Sequence, residues 1–237
     1  MLSIKNFSKS YDGKKMAVDN LTLNVESGQI VAFIGPNGAG KTTTLKAVSG
    51  IIDYNFGEIL IGGINVSKEP LKAKKLLAYL PDNPDLYEHL KGYEFLNFIV
   101  DTFGVDKQTR EGLINKYSTL FKINNNLHEP IKTYSHGMKQ KLALISALVH
   151  SPKLLLLDEP FTGLDPKSSF DFKKILKELI KDGGAVFYST HVLEVAEKLA
   201  THVAIINKGQ LIKFGTIDEV KGDKSLESLF LELAQND

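Results

Sequence analysis

The sequence predicts an α/β fold: a mainly parallel sheet, an antiparallel β lobe at its side and an α-helical subdomain inserted into the core. Three observations predict it. Apolar, β-branched runs at 29–34, 154–157 and 185–190 read as buried strands, with helical patterns between them. Alternating runs at 3–10 and 21–25 read as antiparallel strands with one face packed. From 90 to about 150 there is no convincing strand, and apolar residues recur at helical spacing.

In chain order, 3–10 is a strand and Tyr11 to Lys15 a turn. A strand at 21–25 follows, and Ser27-Gly28 turns into the strand 29–34. A helix opens at Thr43. Residues 57–63 form a short strand bracketed by glycines. A helix is expected over 68–77 and a strand over 77–80. Pro81 and Pro84 then break the pattern. Tyr93, Leu96, Phe98, Ile99 and Val100 belong to one helix, and 113–121 to another. The strand 154–157 ends in two acids. A helix over 168–181 stops at Gly183-Gly184. The strand 185–190 is followed by a hairpin, 203–206 and 210–214 around Asn207-Lys208-Gly209. The tail, 225–234, patterns as an amphipathic helix. The whole is read as a single domain, 1–237: residues 1–80 and 151–237 make the core and β lobe, and about 81–150 the helical subdomain.

Composition bounds the function. Formal net charge is +1 over 237 residues, which points to no bulk binding of nucleic acid or anionic membrane. Cysteine is absent, so there is no disulfide framework and no thiolate metal site, in keeping with a reducing cytosol. No apolar run reaches the length that crosses a bilayer, and the N-terminus lacks a signal-peptide pattern.

The chain is organised around Gly35-Pro36-Asn37-Gly38-Ala39-Gly40-Lys41-Thr42-Thr43, a full match to G-x-x-x-x-G-K-[ST] between a strand and a helix. In that geometry backbone N–H groups converge on an anion, and glycine admits the close approach. Lys41 is expected to reach the β- and γ-phosphates, and the Thr42 hydroxyl to ligate Mg²⁺. This defines a P-loop NTPase core. Asp158 and Glu159 end a buried strand at its carboxyl edge, where open α/β sheets bind ligands. Alternation sends the two side chains apart. Asp158 is the candidate for holding Mg²⁺ with Thr42, and Glu159 for polarising a water as general base.

These residues resemble the nucleotide-binding subunit of ABC transporters over nearly the whole chain. Tyr134-Ser135-His136-Gly137-Met138 stands where that family has LSGGQ. Gly163-Leu164-Asp165-Pro166 resembles the D-loop and Ser189-Thr190-His191 the switch-histidine loop. Ser135 reads independently as the N-cap of a helix whose apolar face runs Met138, Leu142, Ile145, Val149. The resemblance implies ATP and Mg²⁺ as cofactors and a head-to-tail homodimer or heterodimer. Ser135, His136 and Gly137 would there bind the γ-phosphate held by the partner. It implies adenine stacking on Tyr11, a γ-phosphate or water contact for His191, and a place for Asp165 at the dimer interface. It also implies an integral membrane permease as partner and a position on the cytoplasmic face of the cell membrane, with no nucleic acid expected.

Two departures stand out. Asp82 occupies the position of the Q-loop glutamine, where it could still ligate Mg²⁺ or orient water. In the signature, Tyr134, His136 and Met138 replace leucine, glycine and glutamine. Such features are similar to the bacterial subgroup paired with small exporter permeases, and little chain follows His191 to form the regulatory domain of some importers. The alternatives are an importer subunit, a soluble ABC-type ATPase acting on ribosome or DNA, and a P-loop kinase. The last would leave the Ser135 helix start and the His191 loop without a purpose.

Overall fold

The computed structural model describes the backbone of residues 1–235 and the side chains of 1–230. The N-terminal lobe is a four-stranded sheet, ordered β2-β1-β4-β5, in which every pairing is antiparallel. Its strands are β1 (Leu2–Ser10), β2 (Met16–Val25), β4 (Phe56–Ile61) and β5 (Ile64–Asn65). Strand β2 begins earlier than the predicted 21–25, because it pairs with β1 as far as Ser10↔Met16.

The second sheet has six strands in the order β10-β9-β3-β8-β7-β6. They are β3 (Ile30–Ile34), β6 (Leu77–Leu80), β7 (Leu154–Asp158), β8 (Ala185–Thr190), β9 (His202–Asn207) and β10 (Gln210–Thr216). Only the edge strand β10 is antiparallel, so the predicted hairpin is present at the border of an otherwise parallel sheet. Parallel pairing demands crossovers, and both faces become covered. Strand β7 shows the consequence. All four of its leucines are fully buried; Leu155 and Leu157 pack on one face, Leu154 and Leu156 on the other. Removing any one side chain to alanine costs about 2–5 kcal/mol by loss of burial and creation of a cavity.

Helix α1 (Lys41–Val48) follows β3 and opens at Lys41, two residues before the predicted start. Helix α2 (Pro70–Lys74) is shorter than the expected 68–77. Pro70 sits at its first position, which suits a residue lacking N–H, and the chain turns at Lys75-Leu76 to enter β6. Between β6 and β7 lie α3 (Gly92–Thr102), α4 (Lys107–Leu120) and α5 (His136–Leu148), with two 3₁₀ turns at Asn124–Asn126 and Ile131–Thr133. Helix α4 starts before the predicted 113 because the Asp106 side chain accepts from Thr109 N and caps it. Leu96, Ile114, Phe121 and Leu142 from these helices share one apolar cluster with Ile30, Leu155 and Val186 of the sheet.

Helix α6 (Pro166–Lys181) matches the predicted amphipathic helix and ends before Gly183. Helices α7 (Leu193–Leu199) and α8 (Ile217–Lys221) are additions to the sequence reading; each is too short to show a clear period. Helix α9 (Leu226–Gln235) is the predicted tail helix. Among the described residues no helix is long and apolar enough to cross a membrane.

Candidate functional site

The buried strand β3 delivers residues 35–40 to the sheet edge, and α1 leaves from there. Glycine is required at two positions for reasons of the protein's own backbone. A Cβ on Gly35 would lie 2.3 Å from the Ile206 carbonyl oxygen. One on Gly40 would lie 2.7 Å from the Ala17 carbonyl, and Gly40 has φ 107°, a region that disfavours any side chain. Gly40 caps α1 without a side chain, so the first-turn N–H groups stay directed at the loop.

Lys41 Nζ donates to the loop's own carbonyls, Gly35 O at 2.7 Å and Pro36 O at 3.1 Å. Burial pushes its pKa down, and the Glu159 and Asp158 charges oppose the shift. Pro36, Asn37 and Gly38 are exposed, while Ala39 is buried. Thr43 Oγ1 is 3.3 Å from the Tyr11 hydroxyl. Tyr11 is 64% exposed and shares a cavity of ≈ 410 Å³ with Gly38 and Lys208. A flat, exposed aromatic face beside a phosphate loop is chemically suited to stacking on a base.

Thr42 Oγ1 donates to Asp158 Oδ2 at 2.7 Å. The other carboxylate oxygen of Asp158, Oδ1, accepts from the Ser189 hydroxyl. The register puts Asp158 opposite Ser189 on β7 and β8, so the sheet itself aligns them. One residue on, Glu159 has φ 47°, an uncommon conformation for a residue with a side chain. Its N–H donates to Ser189 O at 3.2 Å. Glu159 Oε1 meets His191 Nδ1 at 2.9 Å, and His191 N donates to Oε2 at 3.4 Å. Lys41, Thr42, Asp82, Asp158 and Glu159 line one cavity of ≈ 240 Å³. A neighbouring cavity of ≈ 470 Å³ is shared by Gly35, Asn37, Asp82, Glu159 and His191. Desolvation, then the charges of Asp158 and Glu159, hold the Asp82 carboxyl above the usual range; His191 and His136 pull it partly back.

The donor set fits Mg²⁺. Thr42 and Asp158 supply hard oxygens, and among the described residues no group of three or more acidic, His or Cys side chains is arranged to hold a metal ion by itself. That matches an ion that keeps its waters and borrows substrate phosphates in place of an all-protein cage. The Tyr79 hydroxyl is buried without a protein partner, and burial together with Asp158 and Asp82 raises its pKa. It is an unused donor on this side of the sheet.

The signature residues stand apart from these cavities. Ser135 caps α5, its side chain accepting from Met138 N at 3.3 Å. His136 is exposed, and its ring lies over Gly163, where an added Cβ would come within 2.9 Å of Nε2. Gly137 faces the Gly163 carbonyl, 3.3 Å from where its own Cβ would be. Tyr134 is buried, and its hydroxyl donates to Asn126 O at 2.6 Å. Asp165 caps α6 by accepting from Ser168 N, and pairs with Lys141 Nζ at 2.7 Å. Two members escaped the sequence reading in these roles. In the sequence Ser189 reads only as part of a loop, and nothing local marks Lys141. Strand register and helix packing, not any local pattern, bring them in.

The chain belongs to the ABC transporter family, whose model matches residues 18–162. It is the ATP-binding subunit, an ATPase. It is 35% identical to the lantibiotic transport ATP-binding protein SrtF of Streptococcus pyogenes, over 97% of this chain and 96% of the relative. It is 33% identical to the linearmycin resistance ATP-binding protein LnrL of Bacillus subtilis, over 91% of this chain and 69% of that one. A solved structure of an ABC transporter's ATP-binding subunit superposes with TM-score 0.95 at 31% identity, covering 99% of both chains.

Proposed function

We propose that this subunit hydrolyses ATP to drive an exporter, through ATP-dependent head-to-tail dimerisation coupled to a separate membrane permease. The observation that carries the chemistry is the Glu159–His191 pair at the mouth of the phosphate-loop cavity. Two relatives named for lantibiotic transport and linearmycin resistance support the outward direction.

In this reading Lys41 leaves its loop carbonyls for the β- and γ-phosphates, and the first-turn N–H groups of α1 hold the same oxygens. Tyr11 stacks on the adenine. Thr42, Asp158 and Asp82 would hold Mg²⁺, which when bound neutralises charge on the β- and γ-phosphates. Glu159 accepts a proton from water as the water oxygen bonds to the γ-phosphorus. The bond from that phosphorus to the β–γ bridging oxygen breaks, and ADP carries the electron pair away. With Nδ1 held by Glu159, His191 presents Nε2 to the γ-phosphate or to the attacking water. Ser135, His136 and Gly137 offer a helix N-terminus to the partner's γ-phosphate. Residues 81–150 act as the subdomain that meets the permease at the cytoplasmic face of the membrane.

The test is detergent co-purification of tagged protein from its native membrane, with ATP turnover assayed on the product. A stoichiometric polytopic partner that stimulates turnover is expected. Recovery with ribosomes or DNA, or no turnover, would overturn the reading.

A further inference from the structure

His191 depends on a segment with little structure of its own. Its side chain is 65% exposed, and residues 191–192 join β8 to α7 without regular pairing. Helix α7 has seven residues; a helix that short is not stable alone and takes its position from packing. Its anchors Ala196 and Leu199 are buried.

What they pack against includes the tail helix. Leu226, the first residue of α9, is fully buried in the same apolar cluster as Ala196 and Leu199, and Leu229 packs against that cluster. The half-buried Glu197 of α7 turns its Oε1 to the Leu226 N–H at 3.1 Å. It satisfies an N–H at the start of α9 in the way a capping side chain does. The two helices thus hold one another across 29 residues of sequence. One turn after Leu226, Phe230 faces two cavities beside the phosphate loop. It lines the ≈ 470 Å³ cavity that holds Glu159 and His191, and also a ≈ 390 Å³ cavity shared with Pro36, Asn37 and Lys208.

We propose that α9 is a brace for the His191 segment, with Glu197 and Phe230 as positioning residues that set the rate of ATP turnover without contributing to ATP affinity. This rests on the hydrolytic role assigned above to Glu159 and His191. Glu197 fixes α7 and so the entry angle of the chain from His191. Phe230 supplies an apolar wall to the cavity shared by Glu159 and His191, where the attacking water would sit.

The test compares Glu197→Ala, Glu197→Gln, Phe230→Ala and Phe230→Leu in the full chain. It uses Mg²⁺-ATP turnover, equilibrium binding of ATP and amide hydrogen exchange over 190–199. Glu197→Ala and Phe230→Ala are expected to lower kcat about tenfold, as slight misplacement of a reacting group does, with KM and ATP binding within about twofold. Exchange over 190–199 should quicken in both, reporting local loosening. Glu197→Gln keeps an acceptor oxygen and Phe230→Leu an apolar wall, so both should hold near wild-type kcat. Phe230→Ala, at a half-buried position, covers the case in which Glu197→Ala fails to fold. Unchanged kcat and exchange in an active protein would overturn the brace alone, as would a loss of ATP affinity matching the loss of rate. Absence of turnover in the wild type would instead overturn the hydrolytic reading and the rate-setting role with it.

Discussion

Glu159 Oε1 stands 2.9 Å from His191 Nδ1, while the backbone N–H of His191 turns to the other carboxylate oxygen. The two residues follow the ends of adjacent parallel strands, β7 and β8, so the sheet register brings them together. The pair holds the carboxylate by both oxygens at the edge of the phosphate-loop cavity. Glu159→Gln keeps the shape and removes the basicity. It should bind ATP, remain as an ATP-loaded dimer in size-exclusion chromatography, and release phosphate about 10²–10⁴-fold more slowly. Turnover at the wild-type rate would remove Glu159 as the base.

Lys41 is nearly buried and already satisfied by two loop carbonyls. Lys41→Ala should therefore leave the fold standing and weaken nucleotide binding, checked by titration calorimetry with ATP. Gly40→Ala acts differently. It places a Cβ against the Ala17 carbonyl at a positive φ, with a strain of about 1–3 kcal/mol. A lowered melting temperature that ATP no longer raises is expected.

The Asp82 carboxyl is held above its ordinary range by desolvation and by Asp158 and Glu159. As pH falls from neutral, it takes up its proton earlier than a solvated aspartate. If the ionised form serves turnover, the rate should decline as pH drops through that raised pKa. Asp82→Gln should move the acid limb of the pH–rate profile to lower pH; an unmoved limb would exclude Asp82 from it. For stability the sign is opposite. The folded state favours the proton, so this residue's contribution worsens as pH rises from the unfolded pKa through the folded one.

Asp165 holds Lys141 and the start of α6 together. Its carboxyl is depressed, first by the Lys141 hydrogen bond and then by Ser168. A depressed acid stabilises the fold above its unfolded pKa of about 3.9 and loses that contribution as pH falls below it. Asp165→Ala should lower the urea-unfolding free energy at pH 7 by about 1 kcal/mol through the lost cap. Lys141→Met should narrow the difference between pH 7 and pH 3.

Local chemistry made much of this protein legible in the chain itself. The phosphate loop is a contiguous nine-residue pattern, and the leucines of β7 announce a strand buried on both faces. Ser135 reads as a cap because capping spans only three residues; the cap that Asp165 makes on α6 came with the structure. Pairings across long separations were legible only where a motif tied them. The phosphate-loop pattern linked Thr42, in the first turn of α1, to Asp158 116 residues away, whereas Ser189 reaches Asp158 across 31 residues through register in the sheet, which no motif announces. The helices α7 and α8 escaped because seven and five residues carry too little period to signal themselves. The joining of Glu197 to the tail, and the place of Phe230 in the cavity wall beside the phosphate loop, follow from burial of Leu226 in a shared core. Loops, caps and strand ends obey short-range sterics and hydrogen bonding, which sequence spells out. Which of them meet is settled by non-directional apolar burial summed over the whole fold, and that sum exists only once the chain has packed.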